Sequence, residues 1–311
     1  MFFRNLTLFR FAPSLDLSDL DDHLPAHALK PVGGLDLSSR GFIPPFGRAA
    51  QAEGGDEDDA PQALSHRIGD AVWLTVGGED RLLPSSVVND LLQKKLAALE
   101  RKEGRPASGR KRRQLKDDLV QELLPRAFVR PVRTDVMLDL ARGLCIVDTS
   151  SRKAAEAAVS EVRNALGSFP ALPLNAEVAP RAVLTGWIAG DALPDGLSLG
   201  DECELRDAID GGAVVKCQRQ ELQSDEVAHH LEAGKQVARL ALVLDDHVSF
   251  VLGEDLVLRK LKFLDGAVEQ LESTEREDVR AELDARFALM SAELARLFDV
   301  LEPALKLSKA G

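Results

Sequence analysis

Cysteine is scarce in this sequence, and its spacing excludes the usual cysteine-based scaffolds. The chain has 311 residues and three cysteines, Cys145, Cys203 and Cys217, with no CxxC pair among them. A disulfide framework needs an even number of cysteines, and a zinc ribbon needs closely spaced pairs. We therefore predict small, partly buried thiols that stay reduced in the cytoplasm.

Long apolar runs are also absent. The N-terminal stretch MFFRNLTLFRF is interrupted by Arg4 and Arg10, and no cleavage-site pattern follows it. We interpret this stretch as a β-strand and not as a signal peptide. No window approaches the roughly 18 uninterrupted apolar residues of a membrane span, so the sequence predicts a soluble, cytoplasmic protein without a membrane partner.

Signatures of common catalytic sites are missing as well. The sequence contains no GxxxxGK[ST] phosphate loop, no GxSxG or HExxH motif and no kinase-like set. The histidine pairs His23 with His27 and His229 with His230 lack a third ligand, so no metal or cofactor is predicted. A metal-dependent nuclease would need converging carboxylates. The candidates stand out only because acidic residues are abundant, and they are Asp135, Asp139, Asp148, Asp245 and Asp246.

Positive charge is in short supply overall but is concentrated in one segment. The formal net charge is -12, yet residues 94–134 contain thirteen Lys or Arg against five Asp or Glu. This local surplus of eight leaves a net charge of -20 to the rest of the chain. An acidic bulk with one basic region discourages wrong docking and can accept a polyanion at that region.

The order of apolar patterns predicts an α+β fold with mixed, mainly antiparallel sheets. Strands and helices come in blocks without a βαβ rhythm. We predict a discontinuous central sheet region over 1–80 and 127–200, with a strand over 71–78 that ends in a Gly-Gly turn and another strand over 182–188. The acidic run at 51–62 is predicted to be a solvated excursion.

Outside the central sheet region, the sequence predicts a helical hairpin and a base region. Residues 81–126 are predicted to form a helical hairpin with a basic tip. Residues 201–311 are predicted to form a base region, with an antiparallel meander over 236–264 and one long C-terminal helix. The apolar stripe of that helix, from Val279 to Leu305, is long for covering one small sheet and suggests a dimer contact as well as a core role.

The stretch PRAFVRPVRT at 125–134 places three arginines around one phenylalanine. If the stretch is extended, Arg126, Phe128 and Arg130 share one face, which suits a phosphate backbone with the ring against a sugar or a base. The pattern fits equally well a phenylalanine that plugs the core while its arginines reach outward.

Two further basic groups are candidates for binding a polyanion. Arg112, Arg113 and Lys116 fall at the start of a predicted helix, where the helix dipole disfavours cations. A solvated loop tip explains them as well. The later group lies on predicted strands, where edge protection is an equal alternative, and comprises Lys216, Arg219, Gln220, Lys235, Arg239, Arg259, Lys260 and Lys262.

Ordered segments along nearly the whole chain resemble a known family. The segments are FFRNLTLFRF, GFIPPFG, DRLLPSSVVNDLL, LLPRAF, LGSFPALPL, EAGKQVARLAL, LRKLKF and ARFALMSAELARL. In this order they resemble the bacterial recombination-associated protein RdgC family. The resemblance implies a cytoplasmic, nucleoid-associated protein that binds DNA without sequence preference and restrains the RecA recombinase. It also implies a homodimeric ring whose basic hole surrounds duplex DNA.

The resemblance assigns DNA contacts to individual positions. The family's DNA-contacting aromatic falls on Phe128, a Lys-Gln pair falls on Arg219 and Gln220 with its charge kept, and a lysine of the EAGK motif falls on Lys235. The acidic segment at 51–62 departs from the family pattern. Together with the basic pattern, this gives the predicted DNA-binding set Arg126, Phe128, Arg130, Arg219, Gln220, Lys235, Arg112, Arg113 and Lys116.

The resulting prediction is a non-enzymatic DNA-binding protein that acts as a homodimer and needs no cofactor. Double-stranded DNA is the expected partner, and single strands are left open. Two alternatives remain at this point. One is a metal-dependent nuclease or another DNA-processing enzyme, and the other is an interaction module whose basic hairpin docks on an acidic protein.

Overall fold

A computed structural model of the chain describes residues 2–46, 63–209, 212–272 and 279–309. The run at 51–62 that was predicted as a solvated excursion lies outside the described residues. The α+β class and the mainly antiparallel sheet are confirmed. No helix in the described ranges is both long and apolar enough to cross a membrane.

Twelve strands form one sheet. They are β1 (Leu6–Arg10), β2 (Ser38–Phe42), β3 (Ser65–Ile68), β4 (Ala71–Leu82), β5 (Phe128–Asp139), β6 (Leu144–Asp148), β7 (Leu172–Pro173), β8 (Leu197–Asp207), β9 (Val214–Gln218), β10 (Lys235–Leu244), β11 (Val248–Gly253) and β12 (Leu258–Phe263). The main path is β2-β4-β5-β6-β1-β12-β11-β10-β8-β9, while β3 pairs with β4 and β7 with β1.

The helices of the described residues lie at both ends and on both faces of this sheet. They are α1 (Leu20–His23), α2 (Ser85–Glu103), α3 (Gly109–Leu123), α4 (Arg152–Leu166), α5 (Pro180–Ala189), α6 (Asp225–Glu232), α7 (Asp265–Glu272) and α8 (Val279–Ala304). Short 3-10 turns occupy Leu24–His27 and Leu124–Arg126. The predicted division into a central region, a tip and a base stays a prediction. The sheet itself continues from the central region into the base.

The sheet has two halves that meet at a narrow seam. One half runs from β2 to β1 and the other from β12 to β9, and the register between β1 and β12 consists of the single pair Leu6 with Leu258. One apolar cluster lies between the first half and helices α1 and α4. A larger cluster lies on the other face and extends across both halves beneath α5, α6 and α8.

The predicted Gly-Gly turn at the end of residues 71–78 is wrong, because β4 continues through both glycines to Leu82. The glycines serve close approach instead of turning. A Cβ added to Gly77 would lie 2.7 Å from the Ile43 side chain, and one added to Gly78 would lie 2.8 Å from Cδ of Arg40. A larger residue at either position would have to displace these neighbouring side chains, and glycine in a strand interior marks such close approach.

The strand predicted over 182–188 is also wrong, since these residues belong to α5. A short apolar run does not by itself distinguish a strand from a buried helix. Pro180 occupies the first turn, and Gly190 ends the helix with φ of 111°. Leu184, Trp187 and Ile188 are spaced by three and four residues, and all three are buried. Tertiary burial on one face therefore selects the helix.

The meander, the terminal helix and the buried thiols match their predictions. Strands β10, β11 and β12 are consecutive antiparallel neighbours. On α8 the predicted stripe is buried within the chain, at Phe287, Met290, Leu294, Leu297, Leu301 and Leu305. These six side chains are therefore not exposed for a dimer contact, and Leu283 is half-buried. All three cysteines are free and buried, and burial raises the pKa of Cys145 to about 12.

Polar contacts also fasten α8 to the sheet. At its start, Nδ1 of His66 accepts a hydrogen bond from Arg280 at 3.0 Å, and Nε2 lies 3.0 Å from a carboxylate oxygen of Asp284. The ring packs against Phe46 and Phe287. Burial lowers the pKa of His66, and the charge of Arg280 acts in the same direction against the opposing charge of Asp284. The imidazole is therefore neutral in the folded protein at neutral pH.

We predict that acid destabilises the protein partly through His66. Because the folded pKa is below the unfolded value of about 6.5, the unfolded state takes up the proton first as pH falls. The contribution of neutral His66 to stability should be complete above the unfolded pKa and should be lost as pH falls through the folded pKa. Urea unfolding of wild type and His66→Gln at several pH values measures this. The variant should lose less stability between neutral and acidic pH, and equal losses would contradict the prediction.

Candidate nucleic-acid interface

A long ribbon of strands β4 and β5, bordered on the β4 side by β2 and β3, carries the helical hairpin. Strands β4 and β5 pair over their full length, from Ala71 with Asp139 to Leu82 with Phe128. The next strand, β6, reaches only from Val136 to Asp139 of β5. The distal half of the ribbon therefore projects past β6. At its tip, α2 and α3 connect the end of β4 to the start of β5. The predicted basic stretch lies on this projecting half.

Phe128 lies at the last pair of the ribbon, and its side chain is open to solvent. The residue is 84% exposed, and its cross-strand partner Leu82 is also exposed. The interpretation of Phe128 as a core plug is therefore wrong for this chain. An exposed ring forgoes the burial energy that a core phenylalanine gains, about 1.5–3 kcal/mol. A contact outside the chain would recover that energy.

The arginines around Phe128 have different environments. Arg126 belongs to the 3-10 turn and not to β5, so the strand alternation predicted over 126–130 begins two residues later. It is exposed and forms no ion pair within 4.0 Å among the described residues. Arg130 lies on β5, 3.2 Å from Asp80, which also accepts a hydrogen bond from Arg40 at 2.6 Å. Burial alone would raise the pKa of Asp80, but these two guanidinium groups lower it.

Arg81 holds the base of the hairpin, a role that the sequence analysis missed. Its Nη1 donates to the carbonyl oxygen of Leu124 at 2.8 Å, and its Nε and Nη2 donate to the carbonyl oxygen of Gly33 at 3.3 and 3.2 Å. These bonds fix the 3-10 turn that precedes Phe128. The only sequence signal was an arginine at a strand end, which is too common to be informative.

The helical hairpin presents the second predicted group. Its two helices pack through a small apolar cluster that includes Val88, Leu92 and Leu119. Arg112, Arg113 and Lys116 are exposed on the first turns of α3, next to the Ser108 cap. Helix α3 has 15 residues, so roughly 22 Å separates its start from the turn at Arg126. The two groups therefore lie at opposite ends of α3.

The third group lies on the other half of the sheet. Arg219 and Gln220 follow edge strand β9 and line an open depression of about 760 Å³ together with Gly200 and Asp201. Arg219 has a left-handed backbone, with φ of 58°, which turns the chain immediately after β9. Lys235 begins β10 at the other end of β8, where its Nζ lies 2.5 Å from Asp207. Its charge is therefore already compensated in this structure.

Within one chain the predicted residues form separate groups and not one site. Six strand steps separate β5 from β8 along the sheet path, roughly 29 Å at about 4.8 Å a step. Arg219 and Lys235 are also apart, because Gln220 bonds to Asp201 while Lys235 pairs with Asp207 on the same strand. Any ligand that contacts all groups must be extended.

Comparison with known proteins identifies the family. The family model described as "Putative exonuclease, RdgC" matches residues 1–308. The chain belongs to the RdgC family. Proteins named recombination-associated protein RdgC from Xanthomonas axonopodis pv. citri (strain 306) and Xanthomonas campestris pv. campestris (strain B100) are each 66% identical over 310 residues, covering 100% of this chain and 100% and 99% of theirs. The Xylella fastidiosa (strain 9a5c) protein of that name is 61% identical, over 100% of this chain and 99% of its own.

The exonuclease wording of the RdgC family description directs attention to the carboxylates. Among the described residues, no group of three or more His, Cys, Asp or Glu side chains is arranged to hold a metal ion. Asp135 accepts hydrogen bonds from Trp73 and Thr75, at 3.1 and 2.6 Å. Asp148 accepts the backbone N–H groups of Arg4 and Asn5, and its pKa is raised because burial outweighs these bonds. These carboxylates have structural partners.

Exposure of Phe128 predicts that its ring contributes little to folding. Phe128→Ala should change the free energy of unfolding by no more than about 0.5 kcal/mol. The matched control is Phe287→Ala, a fully buried phenylalanine of α8, which should cost about 3–5 kcal/mol. Urea unfolding of both variants measures the difference. A loss of stability in Phe128→Ala comparable to that of the control would show that Phe128 is a core residue.

Proposed function

We propose that this protein binds duplex DNA without sequence preference, encloses it as a homodimeric ring, and thereby restrains RecA-mediated recombination. The observation that carries the proposal is the exposed ring of Phe128, between Arg126 and Arg130 at the end of a projecting ribbon, in an otherwise acidic chain. An exposed aromatic with flanking cations suits a sugar-phosphate backbone. Membership of a family whose relatives are named recombination-associated supports a role on DNA.

The predicted residues have distinct roles in this proposal. Arg126, Arg130 and Arg219 contact phosphates, Gln220 donates a hydrogen bond to the backbone, and Phe128 packs against a sugar or base. Lys235 contacts a phosphate only after exchanging its bond to Asp207. Arg112, Arg113 and Lys116 extend the basic surface along the hairpin. Phosphate contacts position the protein without reading sequence.

A dimeric ring explains the opposed charges of the chain and the spread of the groups. Cations that line a hole attract DNA there, while an acidic exterior repels it elsewhere. Because the groups of one chain are roughly 29 Å apart along the sheet, an extended duplex is a ligand that can reach them together. Occupancy of the duplex then blocks the recombinase sterically, with no bond made or broken.

Duplex binding should depend on the salt concentration and on individual charged residues. The log of the binding constant for a mixed-sequence duplex should fall linearly with log salt, with a slope of about -0.9 for each phosphate neutralised. Arg219→Gln should reduce that slope by about one such unit, and Phe128→Ala should weaken binding while leaving the slope nearly unchanged. The matched control is Arg286→Gln, which removes the same charge from α8, where Arg286 pairs with Glu282. A slope of zero in wild type would refute the electrostatic account.

A second prediction separates enclosure from the nuclease alternative, which the family description favours. A closed ring should load slowly on covalently closed circular DNA, stay on it after a salt challenge, and slide off the same plasmid once it is linearised. Equal retention on both forms would contradict the ring. Incubation of the closed circle with Mg²⁺ or Mn²⁺, with EDTA as the control, tests the alternative. Metal-dependent nicking would establish the nuclease in place of a purely binding protein.

A further inference from the structure

Among the helices of the described residues, those that cover the second half of the sheet lie on one face. Leu205 and Leu240 point into the cluster that α5, α6 and α8 cover. The opposite face, here called the open face, carries Glu202, Glu204 and Arg206 of β8 with Lys216 of β9. A cavity of about 140 Å³ lies there, and all its lining residues come from the strands β8 to β12.

Glu204 is the centre of a charged cluster on the open face. It is 8% exposed, and its neighbours on the adjacent strands are Lys216 of β9 and Arg239 of β10. Its Oε1 accepts hydrogen bonds from Nη2 and Nε of Arg206 at 2.6 and 2.8 Å. Its Oε2 lies 3.5 Å from Nζ of Lys216 and 3.6 Å from Nη1 of Arg239.

One carboxylate therefore faces three cations. Arg206 also lies 3.6 Å from Glu254, which is shared with Arg181, so the cluster keeps a positive surplus. Burial would raise the pKa of Glu204, but the hydrogen bond from Arg206 and the charges of Arg239, Arg206 and Lys216 lower it. The carboxylate is thus ionised, while the Lys216 side chain is 65% exposed.

Two other cations on this face have one carboxylate each. Nζ of Lys260 lies 2.6 Å from Glu202, and Arg259 binds Asp255 at 2.5 Å. Such pairs neutralise each other. Glu204 differs because a single buried carboxylate binds Arg206 and lies within 3.6 Å of Lys216 and Arg239, whose side chains are 65% and 41% exposed. A guanidinium that is already held in place loses less entropy when it binds an anion.

We propose that Glu204 is a positioning residue that orients Arg206, Lys216 and Arg239 as a further binding site for DNA phosphates on the open face. The inference rests on the proposed DNA binding. The cluster lies three residues along β8 from Asp201, which bonds to Gln220, or roughly 10 Å. The cluster therefore lies close to Arg219 and Gln220. Charge-assisted bonds from held arginines are the strong class of phosphate contact.

The test compares two substitutions that remove the same negative charge from the same strand. If only net charge matters, Glu204→Gln and Glu202→Gln should both tighten duplex binding. If Glu204 positions the cations, Glu204→Gln should weaken binding about tenfold and reduce the salt slope by about 0.9 for each phosphate that is no longer neutralised. Glu202→Gln, which frees Lys260, should bind equally well or more tightly. Fluorescence anisotropy across a salt series measures both quantities.

The outcomes separate this inference from the proposed function. Duplex binding by wild type that is absent or independent of salt refutes the proposed function. Salt-dependent wild-type binding with Glu204→Gln equal to or tighter than wild type refutes only the positioning role. If Glu204→Gln fails to fold, Lys216→Gln replaces it, because this exposed lysine lies on an edge strand. An unchanged salt slope in Lys216→Gln would also overturn the inference.

Discussion

The uninterrupted antiparallel pairing of β4 with β5 is the constraint on which the candidate interface depends. Twelve residue pairs bind these strands, while β6 supports only the proximal part of β5. The distal part therefore projects past β6, although β2 borders β4 up to Asp80, and the chain between the strands must leave and return at the same end. Gly77 and Gly78 allow the neighbouring chain to approach this ribbon closely, and Arg81 fixes the turn before Phe128. The exposure of Phe128 follows from its place at the last pair.

Helix α8 makes the two faces of the sheet different. Its apolar stripe packs across both halves, whose own register at β1 and β12 is a single pair. The helix is also bound to several elements of the sheet by ion pairs, including Arg142 with Asp299 at 2.8 Å and Asp245 with Arg296 at 2.6 Å. Because α8 covers one face, the charged residues of β8, β9 and β10 are left on the other. The covered face and the open face therefore have different chemistry.

Carboxylates lie beside some of the candidate cations and not beside others. Arg130, Lys235 and Lys260 each lie beside one acidic partner, whereas Arg126 and the start of α3 do not in the described ranges. The side chain of Lys235 is mostly buried, but the exposed pairs of Arg130 and Lys260 contribute little to stability, with a typical value of about 0–1 kcal/mol. A phosphate can therefore replace the carboxylate at small cost. Glu204 is the exception, because it is buried and removing it would leave three cations without their common partner.

The sequence by itself determined the elements whose pattern is local. Periodicity identified the hairpin helices, the meander and the stripe of α8, and cysteine spacing identified buried free thiols, because each signal depends on residues near one another in the chain. Tertiary structure alone decided that Gly77 and Gly78 lie inside a strand, that 182–188 is a helix, and that Phe128 is exposed. It also brought Glu204 beside Lys216 and Arg239, which are 12 and 35 residues away. These outcomes depend on which strands become neighbours and which face a helix covers, and no local period encodes either.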